Sequence, residues 1–150
     1  MGPLVKDENI WVRAAVARGL GDCGGSAKPF LLDLLQDKVG VVQIAAMEAF
    51  GKLRDASVVP IILSLTVTHD TDVREAAIAS LGQLGDGSVK ETLRTFLTDP
   101  HWGVRAAAAA ALGKLQDSSV RGSLLHLATQ DQDALVRQSA QFALDQLQES

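Results

Sequence analysis

The residues with chemical potential recur at fixed intervals. Arginine follows valine at Val12-Arg13, Val73-Arg74, Val104-Arg105 and Val136-Arg137. Aspartate stands five positions before the leading valine at Asp7, Asp37, Asp99 and Asp131. Such a row could bind anions, or each arginine could pair with an aspartate of its own or the next repeat and lock a turn. Both partners recur together, which an exposed anion site would not require, so ion pairing is the expected role. His69-Asp70-Thr71-Asp72 resembles half a metal site, and His101 beside Asp99 lies 32 residues further on. A metal needs three or four converging ligands, whereas these residues sit on loops that also need helix caps, so no metal is expected. Cys23 could be a reactive thiol, but it occupies a position held elsewhere by leucine and is expected to be buried. Gly24-Gly25 reads as a turn, because no strand precedes it.

Composition narrows the field. Lys and Arg number 14 against 18 Asp and Glu, so the chain lacks the basic footprint of a nucleic-acid clamp. An apolar content of 47% supports a core. A single cysteine excludes a disulfide framework and a cysteine-cluster metal site. No long uninterrupted apolar run suggests a membrane span, and the N-terminus lacks the plan of a signal peptide, so a cytoplasmic setting is expected.

These residues must be positioned by a repeated element. Five blocks align, each starting at a valine: Val12, Val42, Val73, Val104 and Val136, spaced 30, 31, 31 and 32 residues apart. Counting that valine as position zero, apolar or small residues recur at 0, 3, 4, 7, 8 and 11, one stripe of an α-helix. Position eight is Leu20, Phe50, Leu81, Leu112 and Leu144. Small residues at three and seven allow close helix approach. Each block is followed by a break, Asp55-Ala56-Ser57, Asp86-Gly87-Ser88 or Asp117-Ser118-Ser119, whose Asp and Ser can cap a shorter helix. Those shorter helices are expected at roughly 28–36, 58–67, 88–98 and 119–129, with Pro29 and Pro60 near the start of theirs. The unit is helix, turn, helix, turn. One unit cannot bury its own apolar face, so units must stack.

The run V-R-x-x-A-A-x-A-L-G-x-L, clearest at Val73–Leu84 and Val104–Leu115, resembles the short HEAT-like repeat of phycobilin lyase subunits. The resemblance implies an all-α fold: a right-handed α-α superhelix, or HEAT-like solenoid, of about five units of about 31 residues. The units read 1–22, 23–53, 54–84, 85–115 and 116–150, one array, with the first lacking its first helix. The chain is therefore expected to be a fragment of a longer array, a homo-oligomer, or covered at that end by a partner. The last helix carries Gln138, Gln141, Gln146 and Gln148, a composition suited to a terminal cap. Gln43, Ser139 and Asp145 depart from the repeat pattern.

No HExxH, Gly-x-Ser-x-Gly or phosphate loop occurs, nor the His-Glu pairs of HEAT-type di-iron hydroxylases, so no catalytic constellation and no cofactor is expected. Positions 2, 5, 6 and 9 face away from the expected core stripe, yet they carry Ile44, Met47, Ile78, Ala109 and Phe142. An apolar trough is expected on the concave side, with Arg18, Glu48 and Glu75 along it and Trp11, Trp102 and His101 at its rim. These residues are the expected contacts for a helix or extended peptide of a protein partner. The leading expectation is a non-catalytic protein-interaction scaffold. The alternative, implied only by the resemblance, is a phycobilin lyase-type subunit handling a linear tetrapyrrole, with Arg18 and Lys52 as the basic groups for its propionates.

Overall fold

A computed structural model describes residues 2–85 and 87–148. They form α1 (Gly2–Val5), α2 (Ile10–Gly21), α3 (Lys28–Leu35), α4 (Gly40–Leu53), α5 (Val59–Leu65), α6 (Thr71–Leu84), α7 (Lys90–Thr95), α8 (Trp102–Lys114), α9 (Arg121–Gln130) and α10 (Ala134–Gln148). Long helices alternate with short ones, and no strand occurs among the described residues. The chain divides into two compact units, Met1–Ser80 and Leu81–Ser150.

Local chemistry explains the boundaries. Asn9 caps α2, its side-chain oxygen accepting the N–H groups of Trp11 at 2.8 Å and Val12 at 3.4 Å. Asp55 and Asp117 cap the 3-10 turns that lead into α5 and α9, accepting from the backbone N–H of Ser57 and Ser119. Asp86, expected to do the same, lies outside the described residues. Pro29 and Pro60 sit in the first turns of α3 and α5, where a missing N–H leaves no bond unmade. The residue twelve after the leading valine is left-handed in three blocks, at Gly24, Arg54 and Gln116, with φ of 84°, 53° and 55°. That reversal stops the long helix and turns the chain toward the next short one.

Packing within each unit follows one steric rule. The glycine at position nine of one long helix lies against the small residue at position seven of the next. A Cβ at Gly21 would stand 3.0 Å from the Ala49 Cα, at Gly82 2.7 Å from the Ala111 Cα, and at Gly113 2.8 Å from the Ala143 Cα. In the first unit α2 packs along α4, and α3 against α4; in the second α8 packs along α10, with α7 on α8 and α9 on α10.

This packing corrects the expected sidedness. Met47, Ile78 and Ala109 are fully buried, not open. Positions 4, 5, 7, 8 and 9 are all buried in α4, α6 and α8; α4 packs against both α2 and its own short helix α3, and α8 against both α10 and α7. A helix covered along one stripe would leave position five in solvent; cover by a long and a short neighbour takes it inside. No continuous apolar trough exists among these residues. In α2 the error runs the other way. Ala15, Gly19 and Cys23, expected in the core, are exposed.

Candidate functional site

Two of the repeated arginines, Arg13 and Arg105, pair with an aspartate of the following repeat. Arg13 Nε donates to Asp37 Oδ2 at 2.8 Å, and Arg105 Nε to Asp131 Oδ2 at 2.9 Å. The same guanidinium also reaches back: Nη1 donates to the carbonyl of Asp7 at 2.6 Å in the first case and of Asp99 at 2.9 Å in the second. Arg13 and Arg105 therefore each tie the loop before their helix to the loop of the next repeat. Burial pushes the Asp37 carboxyl up, but the Arg13 hydrogen bond and charge with the Val39 N–H outweigh it and leave it below the ordinary range. The Arg105 hydrogen bond holds Asp131 low against a smaller opposing burial. These are structural clasps, fully occupied by their own loops.

The candidate contact residues separate into three groups. Met47, Ile78 and Ala109 belong to the core. Ile44 and Glu75 are half-buried on their helices. Trp11, Arg18, Glu48, Trp102 and Phe142 are exposed, and His101 is partly so. Arg18 and Glu48 approach to 3.8 Å in the first unit, and Lys52 lies 3.5 Å from Asp22; all four side chains are mostly in solvent.

The second unit holds a more defined arrangement. His101 caps α8, its Nδ1 accepting the Gly103 N–H at 3.1 Å. That bond fixes the imidazole, which stacks on the Trp102 ring with centroids 5.7 Å apart and planes 23° apart. Trp102 nevertheless remains 44% exposed. Beside it lies a shallow cleft of about 250 Å³ lined by Pro100, Trp102, Arg105, Gln132 and Asp133. A larger cleft of about 500 Å³ separates the short helices, with Arg94, Ser119, Ser123, His126 and Leu127 among its walls. Arg94 Nε donates to Asp117 at 2.7 Å there, and this hydrogen bond holds the nearly buried Asp117 carboxyl below its ordinary range. No group of three His, Cys, Asp or Glu side chains converges among the described residues, and no helix there is long and apolar enough to cross a membrane.

Sequence reading missed Leu125 and Leu135, both more than half exposed. Leu135 stands one before its valine, where Trp11 stands in the first block, so the repeat register carried the signal. Leu125 lies on a short helix, where the register is weaker.

The two halves of the chain carry the same device: Gly at nine against a small residue, and Arg clasping the next Asp. A family model described as HEAT repeats matches residues 3–81 and again 62–145. The chain belongs to the HEAT-repeat family. Among solved structures, this HEAT chain is similar to one described as the complex of CpcE and CpcF of phycocyanin lyase from Nostoc sp. PCC7120, with a TM-score of 0.76, 21% identity and 90% of each chain covered. Human deoxyhypusine hydroxylase in complex with glycerol aligns at a TM-score of 0.44 and 17% identity, covering 97% of this chain and 82% of that one. No curated protein matches the sequence. The fold is an all-α helical repeat of the HEAT type.

Proposed function

We propose that the chain is a non-catalytic interaction scaffold that takes a protein partner at the start of α8, with Trp102 as anchor. The observation that carries this reading is a large aromatic ring left 44% exposed although its neighbour His101 holds it in one orientation. A pre-oriented Trp loses little side-chain freedom on binding, and aromatic anchors dominate interface energetics. The adjacent cleft offers the Arg105 and Asp133 edges as a polar rim. The partner is a helix or extended segment presenting an apolar side chain to that cleft. The test compares proteins captured from the source cell by the wild-type chain and by Trp102→Ser, with circular dichroism confirming that both are folded. Loss of specific species with the substitution supports the reading; identical capture removes it.

The second reading, handling of a linear tetrapyrrole, draws on the roomier cleft between the short helices, where Arg94 and His126 stand near apolar walls. Arg18 and Lys52, the basic groups first assigned to it, instead face carboxylates at the surface. A visible-absorbance titration with bilin tests it. A saturable spectral shift lost on Arg94→Ala supports it, and an unchanged spectrum dismisses it.

A further inference from the structure

The joint at Trp102 is open where the corresponding joint of the first unit is closed, and one residue makes the difference. In the first unit Gly40 stands two before its leading valine, and Asp70 three before the next one. Asp70 Oδ1 caps α6, accepting the N–H groups of Asp72 at 3.0 Å and Val73 at 3.3 Å. A Cβ at Gly40 would collide with Asp70 Oδ2, so that carboxylate lies against bare backbone and leaves no room for a side chain. In the second unit the same two places hold Trp102 and Asp133. Asp133 Oδ1 caps α10 in the same way, accepting from Leu135 at 2.8 Å and Val136 at 3.3 Å. An indole stands where the glycine stood, and a cleft of about 250 Å³ has both the indole and the carboxylate for walls.

The cleft is uneven in charge. Its charged walls are Arg105 and Asp133. Arg105 is spent: Nε and Nη2 donate to Asp131 at 2.9 and 3.0 Å, and Nη1 donates to the carbonyls of Asp99 at 2.9 Å and Pro100 at 3.1 Å. Arg137 is not among the walls and spends its Nη1 on the carbonyls of Asp131 and Gln132. Asp133 Oδ2, in contrast, meets no donor among the described residues. His101 stacks on one face of the indole and leaves the other to a partner.

We infer that the partner segment carries a lysine or arginine beside its apolar side chain, with the stem laid on the Trp102 indole and the charged head on Asp133 Oδ2. This rests on the reading of Trp102 as anchor and adds the partner's charge. A cation over an indole is attracted by the ring's quadrupole. The stem of a basic side chain is apolar enough to cover the ring. The head finds a carboxylate oxygen that no donor occupies. Because Asp133 Oδ1 is committed to the cap, a two-pronged guanidinium grip has no second open oxygen, and the ammonium of lysine serves as well. An acidic segment would bring its charge against that carboxylate and be turned away.

Selection of a random peptide display library on the whole folded chain tests this, with the tightest peptide then titrated by fluorescence anisotropy. Selected peptides are expected to share a lysine or arginine close to a large apolar residue. Asp133→Asn keeps the cap, since asparagine accepts the same N–H groups, but removes the charge. It is expected to weaken the peptide about tenfold, the scale of one lost charge pair. Raised salt is expected to weaken binding to wild type more than to this variant. Selected peptides with no basic preference, or a peptide that binds wild type and Asp133→Asn alike, overturn the inference; if they still need Trp102, the anchor reading stands alone. Peptides indifferent to Trp102→Ser, or none selected at all, remove the anchor and the inference together.

Discussion

The Arg13–Asp37 and Arg18–Glu48 pairs show why contact between opposite charges is not enough to stabilise a fold. The first is mostly shielded, with side-chain exposures of 14% and 13%, and its geometry is fixed by further hydrogen bonds. The second lies in solvent at 3.8 Å, where water screens it and two long side chains must be ordered. A double-mutant cycle by urea denaturation is expected to give a coupling of about 1.5–3 kcal/mol for Arg13–Asp37 and about 0–0.5 kcal/mol for Arg18–Glu48. Equal couplings would remove the clasp from the account. The pH dependence has a defined sign. Asp37, Asp55, Asp117 and Asp131 all sit below the ordinary value of 3.8 in the folded chain. The folded state thus binds fewer protons than the unfolded one near that value. Their contribution is complete above it and fades as pH falls through the lower folded values. The urea midpoint is expected to hold between about pH 7 and 5 and to fall steeply below about pH 4; a midpoint unchanged down to about pH 3 contradicts it.

At the scale of the element, glycine positions separate contact from exposure. Gly113→Ala would drive a methyl into the Ala143 backbone, 2.8 Å from its Cα, and is expected to cost about 1–3 kcal/mol. Gly19→Ala has nothing within 4 Å and lies inside α2, so it is expected to stabilise by about 0.5–1 kcal/mol through helix propensity. Thermal midpoints that move the same way for both would refute the packing rule. The helices themselves were legible from the sequence. The valine register placed the long helices, Pro29 and Pro60 marked two short ones, and Asp55 and Asp117 marked the caps. What the register could not show is how many sides of a helix are covered. Ile78 and Phe142 look alike by composition and stand at neighbouring positions, five and six, yet one is fully buried and the other 62% exposed. Burial depends on what packs against a helix from outside it, and no pattern within a single helix records that. Cys23 shows the converse: it stands where its counterparts are leucine, yet it is exposed.

For the whole molecule, the repeat fold and its ion clasps followed from spacing, whereas the contact surface did not. Of the residues assigned to the trough, Met47, Ile78 and Ala109 are core, and the large apolar side chains left exposed are separate ones such as Trp102, Leu135 and Phe142. His101 as the cap that orients Trp102 was outside sequence reasoning, because histidine is an uncommon cap and its role depends on a ring rotation. The proposed scaffold would bind through such isolated side chains, because the residues of the former trough are packed inside. Thermal unfolding of Met47→Asp beside Phe142→Asp tests it directly. Burying an unpaired carboxylate at Met47 is expected to cost more than about 4 kcal/mol and to leave the chain largely unfolded at room temperature. Phe142→Asp is expected to stay within about 0.5 kcal/mol of wild type. A cooperatively folded Met47→Asp chain of wild-type stability would contradict the account and reopen the trough as the binding face.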